Sequence, residues 1–305
     1  MISQIARLTA GLFVCTSGFA MAAPAITMER ACESLGGKLR SVNVAYCQKS
    51  GLKPSHFSSV RGQPILYRDY AARTPTKSDQ PYRVLLLGGI HGDELTAVSI
   101  VFDWMQRLDT EKFQQFQWRV MPCLNPDGLL ASPATRVNAN GVDLNRNFPT
   151  LDWKSDALNY WTTKTRKDPR RYPGTKALSE PESRGLLEMI KEFQPDVIVS
   201  VHAPYGVLDF DGPQKPPQQF GYLYLQLLGT YPGSLGNYAG MNLSVPVITL
   251  ELPSAGQMPP PAQAQRIWDD MLVWLEKNLP KRKQPAQYSQ LDNQPELMSP
   301  PKATP

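Results

Sequence analysis

The chain has 305 residues, with 32 basic and 27 acidic side chains, a formal net charge of +5 and only three histidines. Once its two ends are set aside, that length suits one generous α/β domain with a single core. The charge excess is modest and forms no run outside "RKDPRR" at 166–171, read as a solvated loop, so nucleic-acid binding through a basic stripe is excluded.

In chain order, residues 2–22 carry one arginine, the short apolar stretch "LTAGLFV" and then small residues ending Ala20-Met21-Ala22. This predicts a signal peptide over 1–22 and places the mature protein in the periplasm or outside the cell. The apolar stretch is too short to span a bilayer, and no other segment offers a transmembrane span. Residues 23–60 read as a loop-rich N-terminal segment. Its "CESLGGKLRSVNVAYC" sets two cysteines at the ends of a Gly-containing loop, which in an oxidising compartment predicts a Cys32–Cys47 disulfide. Cys123, inside the apolar "WRVMPC", is expected to be a buried free thiol.

The catalytic domain is expected over 61–279. "QPILYRDY" offers its first strand, and "YRVLLLGGI" at 82–90 is a continuous apolar run closed by two glycines, which suits a strand buried on both faces. "DELTAVSIVFDWMQRL" at 93–108 has helical spacing, with Asp93 and Glu94 placed in the first turn. "FQWRVMPCLNPDG" reads as a strand ending in an Asn-Pro-Asp-Gly turn, followed by a long irregular section to about residue 178. Ser179 and Glu182 form a capping-box pattern for a helix over 179–193. Strands then follow at "PDVIVSVH" (195–202) and "VPVITLEL" (245–252), and an amphipathic helix over 262–279 closes the domain. The Pro- and Gln-rich tail, 280–305, is expected to be disordered.

Strands alternating with helices predict an open twisted sheet covered on both faces, in which sites collect beyond the carboxyl ends of strands. His91, His202 and Glu251 all fall at such ends. The close spacing of His91 and Glu94 suits a grip on one ion that His202 would complete, and a catalytic zinc takes three protein ligands with a fourth position open. Each piece alone is weak, since a strand-end histidine is more often a structural hydrogen-bonding residue. Their coincidence, with a carboxylate at Glu251 among apolar neighbours, favours a metal site. His56 lies in a loop-like stretch and is left out.

The strings "HGDE" (91–94), "NPDG" (125–128), "TRVNANGVDLNRNFP" (135–149), "SVH" (200–202) and "TLEL" (249–252) occur in the order found in the zinc metallocarboxypeptidases typified by carboxypeptidase A, and the chain resembles that family. With "YPGSLGNY", the resemblance is strongest to the bacterial murein peptide amidase branch, which cleaves the γ-D-glutamyl bond to meso-diaminopimelate. It implies a single α/β domain around a mixed, twisted central β-sheet flanked by helices on both faces. It implies one zinc ion held by His91, Glu94 and His202, with Asp143 orienting a zinc histidine. Asn145 and Arg146 match the pair that grips the substrate's terminal carboxylate, and Arg136 the arginine that supports the oxyanion. Glu251 matches the general base, and Tyr231 lies roughly where the family has a mobile capping tyrosine.

The implied substrate is a peptide, foremost a murein stem peptide, and Asp209 and Asp211 are candidate partners for the second ammonium of diaminopimelate. Three other readings stay open: a carboxypeptidase on ordinary peptides, a zinc-dependent deacylase of acyl amino acids, and a non-catalytic wall-peptide binding protein. Nothing in the sequence fixes the oligomeric state.

Overall fold

Nine strands, in a computed structural model that describes residues 26–73, 80–111 and 115–279, form one mixed sheet among the described residues. The strands are β1 Lys53–Ser58, β2 Pro64–Tyr70, β3 Arg83–Leu87, β4 Gln117–Met121, β5 Val197–His202, β6 Val207–Asp211, β7 Gln219–Phe220, β8 Leu223–Leu225 and β9 Val247–Glu251. Their spatial order is β1-β2-β4-β3-β5-β9-β6-β8-β7. The centre, β4-β3-β5-β9, is parallel, and β2 and β6 flank it antiparallel. The expected signal peptide and the expected disordered tail lie outside the described residues.

The central strands carry apolar side chains on both faces because helices cover both. The helices are α1 Met28–Lys38, α2 Val44–Lys49, α3 Leu95–Thr110, α4 Pro126–Leu130, α5 Trp153–Thr163, α6 Pro181–Phe193 and α7 Pro261–Asn278. On one face, Val84 and Leu86 of β3 and Val199 of β5 pack with Val101 and Trp104 of α3 and Trp268 of α7. On the other, Leu85 and Leu87 of β3 and Ile198 of β5 meet Leu186 and Ile190 of α6 and Tyr238 of a π-helix, Gly236–Asn242. Each such buried side chain contributes roughly 1.5–3 kcal/mol, so these two layers fix the sheet on which the site is built.

Several elements differ from the sequence expectation. The stretch read as loop-rich carries α1, α2 and β1 from residue 28 onward, capped by the side chains of Thr27 and Asn43. A disulfide joins Cys32 of α1 to Cys47 of α2, with Cα atoms 5.6 Å apart, and Cys123 is a buried free thiol. The irregular section before residue 178 contains α5, whose polar, aromatic and β-branched sequence hides its periodicity. The Ser179–Glu182 capping box does not form. Pro181 takes the first helical position of α6, and the Glu182 carboxylate accepts instead from the N–H of Val60 and from Asn138 Nδ2. The Asn-Pro-Asp-Gly turn tightens into α4, capped by Asn125, whose Oδ1 accepts from the Gly128 N–H.

Candidate active site

β3 ends at Leu87, and the Gly88-Gly89 turn delivers His91 beyond the sheet edge. Gly92 lies flat against α4, where a Cβ would strike the Gly128 backbone, and its N–H reaches the Arg136 carbonyl at 3.4 Å. Only glycine permits that approach. α3 begins at Leu95, two residues later than its sequence pattern predicts, so Asp93 and Glu94 stand before the helix. Glu94 is the N-terminal cap residue but makes no capping bond, because its carboxylate turns towards two histidines.

His202 is the last residue of β5, and Glu251 the last of β9, in parallel register beside it. The Nδ1 atoms of His91 and His202 lie 3.2 Å apart, with Glu94 Oε1 at 2.8 Å from the first and Oε2 at 3.1 Å from the second. All three residues are buried, and one ligand atom from each falls within 4.8 Å of the others. Two imidazole nitrogens and a carboxylate facing one another in a buried recess match the donor set of a catalytic zinc site. Burial penalises the ionised form of Glu94, yet His91 and His202 outweigh that and hold its carboxyl well below the usual range.

Asp143 is wholly buried behind this group. Its Oδ1 lies 3.2 Å from His91 Nε2 and accepts from the Asn145 N–H, while its Oδ2 accepts from Arg136 Nε at 3.0 Å. Burial opposes ionisation here too, and Arg136 and His91 override it, keeping Asp143 charged. A carboxylate on the far nitrogen of a ligand imidazole fixes both its tautomer and its ring plane. The second guanidinium edge of Arg136 reaches Glu94 Oε1 at 3.5 Å. Glu251 accepts from the Tyr205 N–H at 3.4 Å, and burial raises its pKa against the lowering effect of His202.

Asn145 and Arg146 form a short 3-10 turn, Leu144–Arg146, after Asp143. Asn145 Oδ1 accepts from the Leu235 N–H at 2.8 Å, which fixes the amide and leaves its N–H groups for another acceptor. Arg146 is buried, donates to the Asn145 carbonyl and stacks under the Tyr231 ring at 4.4 Å, without a carboxylate bridge among the described residues. Burial lowers its pKa to about 10. Tyr231 turns its hydroxyl to the Leu228 carbonyl.

Asp209 and Asp211 point to one face of β6. Asp209 Oδ1 accepts from the Leu228 N–H, while Asp211 lies against Gly236 and Gly240 of the π-helix, where a Cβ on either glycine would strike it. Burial, reinforced by Asp209, pushes the Asp211 carboxyl up to about 7. His56 stands apart, paired with Glu188 on the surface.

A family model described as zinc carboxypeptidase matches residues 53–211. The chain belongs to the zinc carboxypeptidase family. As a zinc carboxypeptidase it is a hydrolase with zinc as cofactor. Curated relatives include the murein peptide amidase A of Vibrio campbellii, 32% identical over 65% of this chain and 78% of that protein. Murein peptide amidase A of Escherichia coli K12 is 34% identical over 64% of this chain and 78% of its own length. The crystal structure of the murein-tripeptide amidase of E. coli O157 superposes with a TM-score of 0.51 at 27% identity, over 76% of this chain and 94% of that one. Carboxypeptidase A of Helicoverpa armigera shares the fold, with a TM-score of 0.55 at 17% identity, over 79% of this chain and 70% of that one.

Two further supporting contacts converge on this candidate site. Ser200 Oγ lies 3.0 Å from His202 Nε2, and Asn125 Nδ2 donates to the Arg136 carbonyl. Ser200 had a signal: it is the one hydroxyl in "VIVSVH", two residues before His202 and hence on the same strand face.

Proposed function

We propose that this enzyme hydrolyses the γ-D-glutamyl bond to meso-diaminopimelate in murein peptides, with His91, Glu94 and His202 holding its zinc ion. When bound, zinc supplies Lewis acidity, which activates water and polarises a carbonyl. Glu251, raised in pKa beside His202, suits the base that takes a proton from the attacking water and passes it to the leaving amine. The N–H groups of Arg136 not used on Asp143 and Glu94 can stabilise the developing oxyanion. Asp143 holds His91 in one tautomer.

The observation that carries the carboxypeptidase half of this reading is Arg146, a buried guanidinium with no carboxylate partner among the described residues. A desolvated cation next to the fixed amide of Asn145 suits the free carboxylate of a substrate's terminal residue. Tyr231 backs that guanidinium with its ring. Asp209, which accepts from backbone N–H groups, and Asp211, neither with an ion pair among the described residues, suit the distal ammonium of diaminopimelate. The murein peptide amidases among its relatives support the same choice.

Action outside the cytoplasm belongs to this proposal, supported by the buried Cys32–Cys47 bridge. The test is incubation of the zinc-loaded protein with L-Ala-γ-D-Glu-meso-diaminopimelate, ordinary peptides and acylated amino acids, with products identified by mass. Free diaminopimelate is the expected product. Release only from ordinary peptides, loss of an acyl group, or binding without cleavage would each overturn the proposal in favour of a different reading.

A further inference from the structure

The formal charge of +5 is not spread evenly along the chain. Residues 153–176 carry seven basic and two acidic side chains, which leaves 25 of the 32 basic and 25 of the 27 acidic residues for the rest, so the whole excess stands in one segment. That segment is α5 and the turn after it. Lys154, Lys164, Arg166, Lys167, Arg170 and Lys176 are exposed, and of these only Arg170 makes an ion pair among the described residues. The two acids turn to local donors: Asp156 accepts from the Ser155 hydroxyl, and Asp168 Oδ1 caps the Arg170 N–H.

These cations are held on a fixed scaffold beside the candidate site. Arg166 and Lys167 take left-handed backbone conformations (φ 54° and 59°) and turn the chain back after α5 into a 3-10 turn, Pro169–Arg171. Trp161 Nε1 donates to the Asp168 carbonyl, and the Trp161 and Tyr172 rings stand 4.8 Å apart. Two contacts fasten the turn to the site. Arg170 bridges Asp93, the neighbour of Glu94, at 2.7 Å, and the Tyr172 carbonyl accepts from the Asp143 N–H at 2.8 Å. Arg166 and Lys167 precede Arg170 by four and three residues, so their Cα atoms lie within about 15 Å of its own. Lys154 and Lys164 are ten residues apart on α5 and its cap, which extends the basic face by roughly another 15 Å.

Exposed cations without counter-charges sum to a field that draws anions from beyond contact distance. One soluble peptide has its terminal carboxylate met by Arg146 and Asn145, and a cationic face this long suits a partner with carboxylates repeated along it. A lipid surface suits it less well. An interfacial helix presents an apolar face to the bilayer, whereas Leu158 is the one apolar side chain among the exposed residues of α5, set beside Lys154, Asn159 and Thr162.

Resting on the murein reading above, we infer that α5 and its basic turn form a docking face for polymeric murein, binding the carboxylates of neighbouring stem peptides while one stem enters the active site. The test is co-sedimentation of the zinc-loaded protein with purified murein sacculi, in the cold, at low and at physiological salt. The wild type is expected to bind and to be released as the screening length shortens from about 30 Å at about 0.01 M salt to about 8 Å at about 0.15 M. A triple variant, Lys164→Gln with Arg166→Asn and Lys167→Asn, uses asparagine where the backbone is left-handed and should raise Kd about tenfold. Removing as many exposed charges elsewhere, in Arg40→Gln with Lys215→Gln and Lys277→Gln, should leave Kd unchanged. Tm and kcat on soluble tripeptide should stay at wild-type values in both variants. Equal losses in the two variants, undiminished binding to sacculi whose carboxyl groups have been amidated, or tighter binding to phosphatidylglycerol vesicles than to sacculi would each overturn the docking face. Charge-dependent binding to sacculi without release of diaminopimelate from soluble tripeptide would instead overturn the substrate reading and leave the docking face standing.

Discussion

His202 and Glu251 end adjacent parallel strands in direct register, so one sheet edge sets both a candidate metal-ligand imidazole and a carboxylate at a fixed separation. Neither residue depends on a flexible loop. For the proposed base this predicts a clean separation of functions. Glu251→Gln keeps the shape and the Tyr205 N–H contact but removes the proton acceptor, so kcat should fall about 10²–10⁴-fold. Zinc content by elemental analysis should stay at one ion per chain, and a parallel loss of zinc would assign Glu251 to metal retention instead.

Metal removal should be felt by the fold as well as by the chemistry. His91, Glu94 and His202 are all buried, and an ion that binds only the folded chain stabilises it by about 4 kcal/mol at a thousandfold excess over Kd. Chelation is expected to lower Tm on the order of 10 °C and abolish hydrolysis, with both restored by added zinc. His202→Ala should reproduce the chelated state and resist rescue. A Tm that ignores both treatments would remove the metal from the folded structure's support.

The parts of this molecule legible from sequence are those where one periodicity dominates. β3, β5 and β9 are mostly apolar because both faces are covered, and α7 shows a plain amphipathic pattern, so the strand ends locate His91, His202 and Glu251. The His-x-x-Glu spacing was also legible, although Glu94 sits before α3 and not inside it. What escaped notice was decided by tertiary contact. β6 is read poorly because its outward positions, Asp209 and Asp211, are acids facing a π-helix and a loop. The basic run at 166–171 carried no sign of its bridge to Asp93, a partner some 75 residues away whose approach depends on α5 and the turn after it.

Arg146 should show a conflict between stability and activity. Burial lowers its pKa to about 10, a sign that its charge is poorly compensated before substrate arrives. Arg146→Met, similar in length and uncharged, is expected to stabilise the free protein by about 1–2 kcal/mol in a denaturant titration. The same change should raise KM for carboxylate-ended peptides about 10–100-fold, the worth of a lost charged hydrogen-bond pair. Arg146→Lys should recover only part of that, because an ammonium cannot offer the two-pronged geometry. A destabilised R146M with unchanged KM would make Arg146 a structural cation.

Asp211 should give stability a pH dependence of definite sign. Burial and Asp209 push its carboxyl up to about 7, well above the ordinary aspartate value of 3.8, so the folded state favours the protonated form. The benefit is therefore full below about pH 4 and is lost as pH rises through about 7, where folding must accommodate a half-buried carboxylate. Asp211→Asn stays neutral at every pH, so its Tm should match the wild type near pH 4. Above pH 7.5 it should exceed the wild type by on the order of 1–2 kcal/mol, or roughly 2–6 °C, after allowance for partial solvent access. Bound diaminopimelate should shrink that gap, because its ammonium would neutralise the same carboxylate. A constant Tm difference across pH 4–8, or a gap indifferent to diaminopimelate, would separate Asp211 from both the titration and the ammonium.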